Sequence, residues 1–159
     1  MAIKVGDTLP EATFMTMGED GPEPITTSDV FSGKRVALFA VPGAFTPTCS
    51  ARHLPGFKDH AEDLKAKGIE SIACTSVNDV FVMDAWGKSQ DVEGMTLLAD
   101  GNGGFADAIG LVMDASGFGM GTRSQRYSMI VNDGVVESLN VEDGGEFRVS
   151  SAEYMLEQL

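Results

Sequence analysis

Apolar and polar positions alternate between a strand period and a helix period along this chain. Residues 35–41 form a mainly apolar run between turn signals, which is typical of a central strand buried on both faces. After this run, apolar residues recur every three or four positions, at Ala51, Leu54, Phe57, Ala61 and Leu64. This spacing predicts an amphipathic helix that ends near Gly68 and is kinked at Pro55 and Gly56.

The same alternation continues on both sides of this segment. Residues 69–77 and 95–99 are predicted to be strands, with a helix through Val82 and Trp86 between them, which is the order that parallel βαβ units require. Before residue 35, the segment from Gly18 to Pro24 predicts a surface loop that follows an N-terminal strand pair.

The end of the chain predicts a hairpin and a final helix. Two strand-like runs, 126–131 and 135–141, flank the turn sequence Asn132-Asp133-Gly134, which favours an antiparallel hairpin. Residues 151–159 are predicted to close the fold as a helix capped by a serine at its start.

Composition indicates one globular domain over residues 1–159. The chain has 159 residues, of which 43% are hydrophobic and 22% charged, and its net charge is −13. Nucleic acids and anionic membranes bind cationic surfaces, so we expect neither as a partner. No apolar run is long enough for a membrane span, and the first residues lack the apolar segment of a signal peptide.

The cysteine content bears on the compartment. Two cysteines without a disulfide framework favour a reducing environment, and we expect the cytoplasm. The mature form of an organellar protein would show the same pattern, so that alternative stays open.

Cys49 is the strongest candidate for chemistry. It follows the central strand at a predicted helix start, with Thr46 as the cap and Pro47 as the first helical residue. Unpaired N–H groups at a helix start favour the reactive thiolate over the thiol. Pro42 and Phe45 are placed to shield the sulfur from bulk water. The alternative is that Cys49 is a small buried hydrophobic residue.

Other kinds of site fit the sequence less well. His53 lies one helical turn beyond Cys49, which suggests a cysteine–histidine protease, but a partly buried histidine more often bonds a backbone group. His60 is the only other histidine, so a zinc site has too few ligands and no metal is expected. The glycine-rich run 100–105 lacks the ligands of a calcium loop and predicts a strand-to-helix connection.

The residues around Cys49 resemble the active site of a known family. Pro42, Thr46 and Cys49 match the Pro-x-x-x-Thr-x-x-Cys motif of the peroxiredoxins, which are thiol peroxidases. The segments that are similar to the type II, or peroxiredoxin-5, subfamily are 42–50, 53–57, 76–79 with 85–88, and 123–127. The resemblance implies an α/β, thioredoxin-like fold with a central mixed β-sheet flanked by helices and an N-terminal β extension.

The resemblance also implies roles for individual residues. Cys49 would be oxidised to sulfenic acid by hydrogen peroxide or a small alkyl hydroperoxide, and no bound cofactor is required. The Thr46 hydroxyl would accept a hydrogen bond from the peroxide, and Pro42 would shape the site. Arg126 would donate to the sulfur and the peroxide. It matches the family's arginine, whereas Arg123 does not, because Arg126 begins the predicted strand 126–131. Arg123 is expected to be a solvated surface charge.

Cys74 is the only candidate within the chain to resolve an oxidised Cys49. It lies inside the predicted strand 69–77, where a structural buried thiol is the favoured interpretation, and a resolving role stays open. The resemblance implies recycling by glutathione with glutaredoxin, or by thioredoxin. It also implies a homodimer, in which Phe118 and Met120 pack against the partner subunit.

Two other functions remain as alternatives. One is a thiol–disulfide oxidoreductase of the same fold, although the usual Cys-x-x-Cys is absent because Ser50, Ala51 and Arg52 follow Cys49. The other is a non-enzymatic sensor that passes its oxidation to a protein partner. The rate of Cys49 oxidation by peroxide separates the three.

Overall fold

The computed structural model describes residues 2–92, 94–144 and 146–159, and of Cys49 it describes the backbone alone. These residues form a seven-stranded mixed sheet and a separate two-stranded sheet. The strands are β1 (Thr13–Gly18), β2 (Gly21–Thr26), β3 (Arg35–Ala40), β4 (Ser71–Ser76), β5 (Met95–Ala99), β6 (Val112–Asp114), β7 (Thr122–Ser124), β8 (Tyr127–Asn132) and β9 (Val135–Val141). The helices are α1 (Thr27–Phe31), α2 (Leu54–Asp59), α3 (Ala61–Ala66), α4 (Val80–Ser89), α5 (Gly104–Ala108) and α6 (Ala152–Gln158), with a π-helical turn at Cys49–His53 and a 3-10 turn at Ser116–Phe118.

The order of the strands brings together three segments that are distant in the sequence, at the end of the large sheet where β3 and β4 finish and β8 begins. The order is β2-β1-β5-β4-β3-β8-β9, in which β3, β4 and β5 are parallel and the other pairs antiparallel. Ala40 at the end of β3 pairs with Thr75 near the end of β4 and with Tyr127 at the start of β8. The loops after β3 and β4 therefore lie beside Arg126, which precedes β8.

Two hydrophobic cores cover the two faces of this sheet. Alternate residues of β3 point to opposite sides, so that Ala37 and Phe39 pack with helices α2, α3, α4 and α6, whereas Val36 and Leu38 pack with α1 and α5. All four of these β3 side chains are completely buried. The continuous apolar run is thus a central strand buried on both faces, as the sequence predicts.

Several predicted elements are confirmed with their bounds nearly unchanged. Strand β5 has the predicted range, and β8 and β9 form the expected hairpin. Asp133 and Gly134 form its turn with positive φ angles of 50° and 81°, which suits the Asp-Gly sequence. The Ser151 hydroxyl caps α6 by accepting from the Tyr154 N–H at 3.1 Å.

The prediction of a loop from Gly18 to Pro24 is wrong. Most of this segment is strand β2, which forms an antiparallel hairpin with β1 and extends the sheet at its edge. Pro22 and Pro24 lack the N–H group that a central strand needs, but an edge strand tolerates them because one of its sides has no neighbouring strand. The hairpin is the predicted N-terminal β extension.

The helix predicted after Cys49 is interrupted in a different place from the one expected. The π-helical turn comes first, and α2 and α3 are separated at His60 rather than kinked at Pro55 and Gly56. Pro55 lies just after the π-helical turn, and the backbone is helical from Pro47 into α2, so the hydrogen-bond ladder is altered in the turn before the proline rather than broken at it. Ala51, predicted to face the core, is exposed.

Within the described residues, no helix combines the length and the apolar character that a membrane crossing requires.

Candidate active site

Hydrogen bonds fix the loop that leaves β3 against the neighbouring strand. The Val41 N–H donates to the Thr75 carbonyl at 3.1 Å, and the Ala44 N–H donates to Asn78 Oδ1 at 2.9 Å. Phe45, within this loop, has a φ of 66°, which is uncommon for a residue with a side chain. Phe45 is 54% exposed and Pro42 is half buried. Because the Cys49 side chain is not described, the shielding of its sulfur by these two residues stays a prediction.

Thr46 begins the helix as predicted, although its side chain makes a different contact. The helix starts at Pro47, and the Thr46 carbonyl accepts from the Ser50 N–H at 3.0 Å. The Thr46 hydroxyl donates to the Gly43 carbonyl at 2.7 Å instead of accepting from a helical N–H. Because this bond uses the hydroxyl proton, the oxygen is oriented to act as an acceptor toward a ligand.

Cys49 opens the π-helical turn, and its side chain lies outside what the structure describes. Its backbone neighbours are described. Ser50 accepts a hydrogen bond from Trp86 Nε1 at 2.9 Å, which ties this turn to the buried side of α4. The backbone that carries the predicted nucleophile is therefore attached to the core directly after Cys49.

Arg126 is buried against the same turn. The residue is only 9% exposed, and its Nη1 donates to His53 Nδ1 at 2.9 Å. His53 is the last residue of the turn that begins at Cys49, and its Nε2 lies 2.9 Å from the Ser150 carbonyl. The structure thus brings together the segment of Cys49 and the distant Arg126, as the sequence predicts.

His53 is neutral in the folded protein. Burial of the ring, and then the positive charge of Arg126, lower its pKa from 6.5 to about 3. Since the Ser150 carbonyl can only accept, the ring proton resides on Nε2 and the Nδ1 lone pair faces Arg126. The bond to Ser150 confirms that His53 satisfies a backbone group. With Nδ1 bonded to a guanidinium, the imidazole is not arranged as a base for a cysteine protease.

Glu142 holds the loop that supplies this carbonyl. Its carboxylate accepts from the backbone N–H groups of Arg148, Val149 and Ser150 and from the Ser150 hydroxyl, at 2.6–2.9 Å. Burial raises the pKa of Glu142, but the hydrogen bonds from the Ser150 hydroxyl and the three N–H groups outweigh it, so the net pKa is lowered. The Glu142 N–H also donates to the Arg126 carbonyl at 2.9 Å.

Phe147, in the same loop, lies among the charged and aromatic groups of the site. Its ring centroid is 4.7 Å from the guanidinium carbon of Arg52 and 5.8 Å from that of Arg126. It also lies 5.0 Å from the His53 ring. This ring contributes an apolar surface and a favourable cation–π contact beside Arg126.

The expectation that Arg123 is a solvated surface charge is wrong. Arg123 is half buried, and it donates to the Met120 carbonyl from Nε at 2.9 Å and to the Val77 carbonyl from Nη1 at 3.1 Å. A Cβ placed on Gly43 would lie 3.3 Å from the same Nη1, so the loop after β3 packs against this guanidinium. Arg123 joins three loops because its fixed fork can reach two carbonyls at once.

Cys74 lies far from the surface in the middle of β4. It is completely buried in the core, and it pairs in register with Phe39 on one side and Leu97 on the other. This position agrees with the favoured interpretation of a buried thiol, and its chemical role stays a prediction.

The glycine-rich run 100–105 is the strand-to-helix connection that the sequence predicts. The Asp100 carboxylate accepts from the N–H groups of Phe105 and Ala106 at 3.0 and 2.9 Å. It therefore satisfies two N–H groups of the first turn of α5, whose N-cap residue, Gly103, has no side chain to do so. In the described ranges, no three histidine, cysteine or acidic side chains are grouped to hold a metal ion.

Sequence reasoning missed the partners of Arg126. His53 and Arg126 are 73 positions apart, and Glu142 carries no motif that marks it as part of the site. The available signal was a histidine on the helix of the candidate nucleophile, next to an arginine predicted at the same sheet edge.

Comparisons with known proteins cover nearly the whole chain. Residues 4–156 match the family model described as Redoxin. The chain is 48% identical to peroxiredoxin-2E, chloroplastic, of Arabidopsis thaliana, over 99% of this chain and 70% of that protein. It is 47% identical to peroxiredoxin-2D of the same plant, over 99% of this chain and 98% of the relative.

Solved structures agree with these sequence comparisons. The crystal structure of reduced Prx3 in complex with H2O2 from Vibrio vulnificus has a TM-score of 0.95 and 52% identity, and the match covers 98% of each chain. This likeness confirms the α/β, thioredoxin-like fold class that the sequence predicts.

Proposed function

Because this chain belongs to the peroxiredoxins, thiol peroxidases of the redoxin family, we propose that Cys49 is the nucleophile with which it reduces hydrogen peroxide and small alkyl hydroperoxides. The observation that carries the proposal is the position of Arg126. This buried cation bonds His53, in the five-residue turn that Cys49 begins. A nearby cation favours the thiolate over the thiol.

The chemistry requires one acceptor and one donor at the peroxide. The Cys49 thiolate attacks one peroxide oxygen, a sulfur–oxygen bond forms, and the O–O bond breaks. The departing oxygen takes up a proton and leaves as water or an alcohol, while Cys49 becomes a sulfenic acid. The Thr46 oxygen accepts from the peroxide, as its bond to Gly43 supports, and Arg126 donates to the charge that develops. Pro42 lies in the same loop as Thr46 and shapes the site.

A thiol from outside the chain completes the cycle in this proposal. Two reducing equivalents return the sulfenic acid to the thiol and release water, and glutathione with glutaredoxin, or thioredoxin, supplies them. Cys74 has a structural role, which its complete burial in the central strand β4 supports. Such recycling requires a reducing compartment, such as the cytoplasm.

The proposal includes a homodimer through the edge that carries the site. Phe45 is 54% exposed and Phe118 is 86% exposed, and a second copy of the chain would cover such rings. Sedimentation of the Phe118→Asp variant tests this part, because a charge at the interface should shift the dimer toward monomer.

Stopped-flow measurement of Cys49 oxidation by hydrogen peroxide tests the function. Wild-type protein and Cys74→Ser should react much faster than free cysteine, and Cys49→Ser should not react at that rate. Turnover of Cys74→Ser with glutathione and glutaredoxin should be retained, and its selective loss would make Cys74 the resolving residue. Oxidation of the wild type no faster than that of free cysteine would reject the peroxidase.

A further inference from the structure

We propose that His53 and Glu142 are positioning residues for Arg126, and that the neutral imidazole fixes the direction in which the guanidinium donates. The inference rests on the proposed function, in which Arg126 donates to the peroxide. It follows from two bonds of 2.9 Å that the imidazole makes on opposite sides, to Arg126 and to the Ser150 carbonyl.

The choice of acceptor explains why a histidine suits this position. An arginine side chain has several rotatable bonds, so a directed guanidinium needs a fixed acceptor. A carboxylate would supply one, but its negative charge would cancel much of the potential that stabilises a thiolate. The neutral Nδ1 atom of His53 holds the guanidinium and leaves its positive charge in place.

The surroundings of the ring fix its plane and keep it neutral. The ring centroids of Phe39, Phe57 and Phe147 lie 4.8, 5.7 and 5.0 Å from that of His53. Their apolar surfaces exclude water and disfavour a charged imidazole, which agrees with its strongly lowered pKa. A tilt of the ring would lose both hydrogen bonds and the packing together.

Glu142 extends this chain of contacts by one step. The Ser150 carbonyl determines which ring nitrogen carries the proton, since it accepts from Nε2. Glu142 fixes that carbonyl through its bonds to the N–H and hydroxyl groups of Ser150 and to the two preceding N–H groups. It therefore acts on Arg126 through Ser150 and His53, without touching the substrate.

Two substitutions of His53 separate its two bonds. Asparagine places its oxygen near the position of Nδ1, so His53→Asn keeps an acceptor for Arg126 and loses the bond to Ser150. Glutamine reaches the position of Nε2, so His53→Gln keeps a donor for Ser150 and loses the acceptor for Arg126. His60→Gln is the matched control, because His60 contacts Asp63 and Glu153 outside the site.

The measured quantity is the rate constant for Cys49 oxidation by hydrogen peroxide. We expect about a 30-fold loss for His53→Gln, less than about fivefold for His53→Asn, and no change for His60→Gln. In an Arg126→Lys background, His53→Gln should cost less than about twofold more, because it acts only through Arg126. The rate constant for alkylation of Cys49 by iodoacetamide, measured at a pH where the thiol is ionised, should stay within about threefold of the wild-type value in both His53 variants.

Contrary results have distinct meanings. Equal losses for the two His53 variants, or parallel losses in alkylation, would show that the ring only supports packing and would overturn the positioning role. If a His53 variant does not fold, Glu142→Gln serves the same purpose, with about a fivefold loss in the peroxide step and none in alkylation. A slow wild-type reaction would instead reject the proposed function itself.

Discussion

Arg123 and Arg126 lie on the same short segment and use the same side chain in different ways. Arg123 is half buried and donates to two carbonyls, of Met120 and Val77, so it connects loops. Arg126 is buried, and one of its donors meets the uncharged nitrogen of His53. The first arginine is held by backbone that it stabilises, and the second is held by a side chain.

The group that accepts from a guanidinium indicates whether the cation serves stability or chemistry. A guanidinium bonded to loop carbonyls contributes mainly to stability, because those acceptors exist wherever loops meet. A guanidinium directed by a neutral ring, at the helical turn that begins with the proposed nucleophile, is instead suited to donate to a reacting group. Substitutions at the two arginines should therefore differ in their effects on the rate of Cys49 oxidation and on the free energy of unfolding.

Replacing each arginine by lysine should separate their roles most strongly. Arg126→Lys keeps the charge but loses the planar fork, and we expect about a 100-fold lower rate constant for Cys49 oxidation by peroxide. Arg123→Lys should lower the same constant less than about fivefold. Stopped-flow kinetics measure both, and similar losses would remove the distinction between the two arginines.

Acid should lower the stability of the folded protein through His53, which bonds Arg126. The pKa of His53 is about 3 in the folded protein against an ordinary 6.5, so between these values the unfolded chain binds more protons. The free energy of unfolding should therefore fall as the pH falls below 6.5, by up to about 1.4 kcal/mol per pH unit. Urea unfolding at pH 7, 6 and 5 measures it.

The comparison of variants isolates this contribution from other groups that titrate. His53→Gln should lose much of the slope between pH 6.5 and 5, and Arg123→Lys should keep it. An identical slope in wild type and His53→Gln would show that the ring is not held neutral.

Removal of the Arg123 side chain should reduce stability more than activity. Arg123→Ala loses two charged hydrogen bonds to carbonyls, and we expect unfolding to become about 1.5 kcal/mol easier. Arg52→Ala is the control, since the exposed Arg52 guanidinium contacts the Phe147 ring and should cost about 0.5 kcal/mol. Thermal and urea unfolding compare the two, and a larger loss for Arg52→Ala would contradict the loop-joining role.

Gly43→Ala should give the smallest effect. The added methyl would lie 3.2 Å from Met120 Cε and from Thr46 Cγ2, and the flexible methionine end can move aside. We expect a stability change below about 1 kcal/mol. A much larger loss in urea unfolding would mean that the loops around Arg123 are packed more rigidly than those contacts indicate.

Local patterns were sufficient for elements whose signals are local. The run 35–41, the turn at Asp133 and Gly134, and the cap at Ser151 each depend on neighbours within a few positions, and each is confirmed. Strand β2 was missed because prolines disfavour strands in general, and only the edge position in the finished sheet permits them.

In the candidate site, too, residues with a local sequence signal were predicted, whereas contacts that depend on the folded sheet were not. Pro42, Thr46 and Cys49 belong to one short motif, residues 42–49, that the sequence shows directly, and Arg126 was identified by its position at the start of a predicted strand. The bond between His53 and Arg126 depends on the antiparallel pairing of β3 with β8, which no local pattern specifies. Arg123 was misjudged because exposure is the usual state of an arginine, and its carbonyl partners come from distant loops.

The π-helical turn at Cys49–His53 sets the direction in which the side chains of the following helix point. A π turn accommodates one residue more than an α turn, and each residue of a helix advances the side-chain direction by about 100°. The extra residue explains why Ala51 faces solvent although Leu54 and Phe57 face the core. The turn therefore lets the start of the helix and its buried face be oriented independently, and deleting one residue there would disturb the site more than substituting any exposed one.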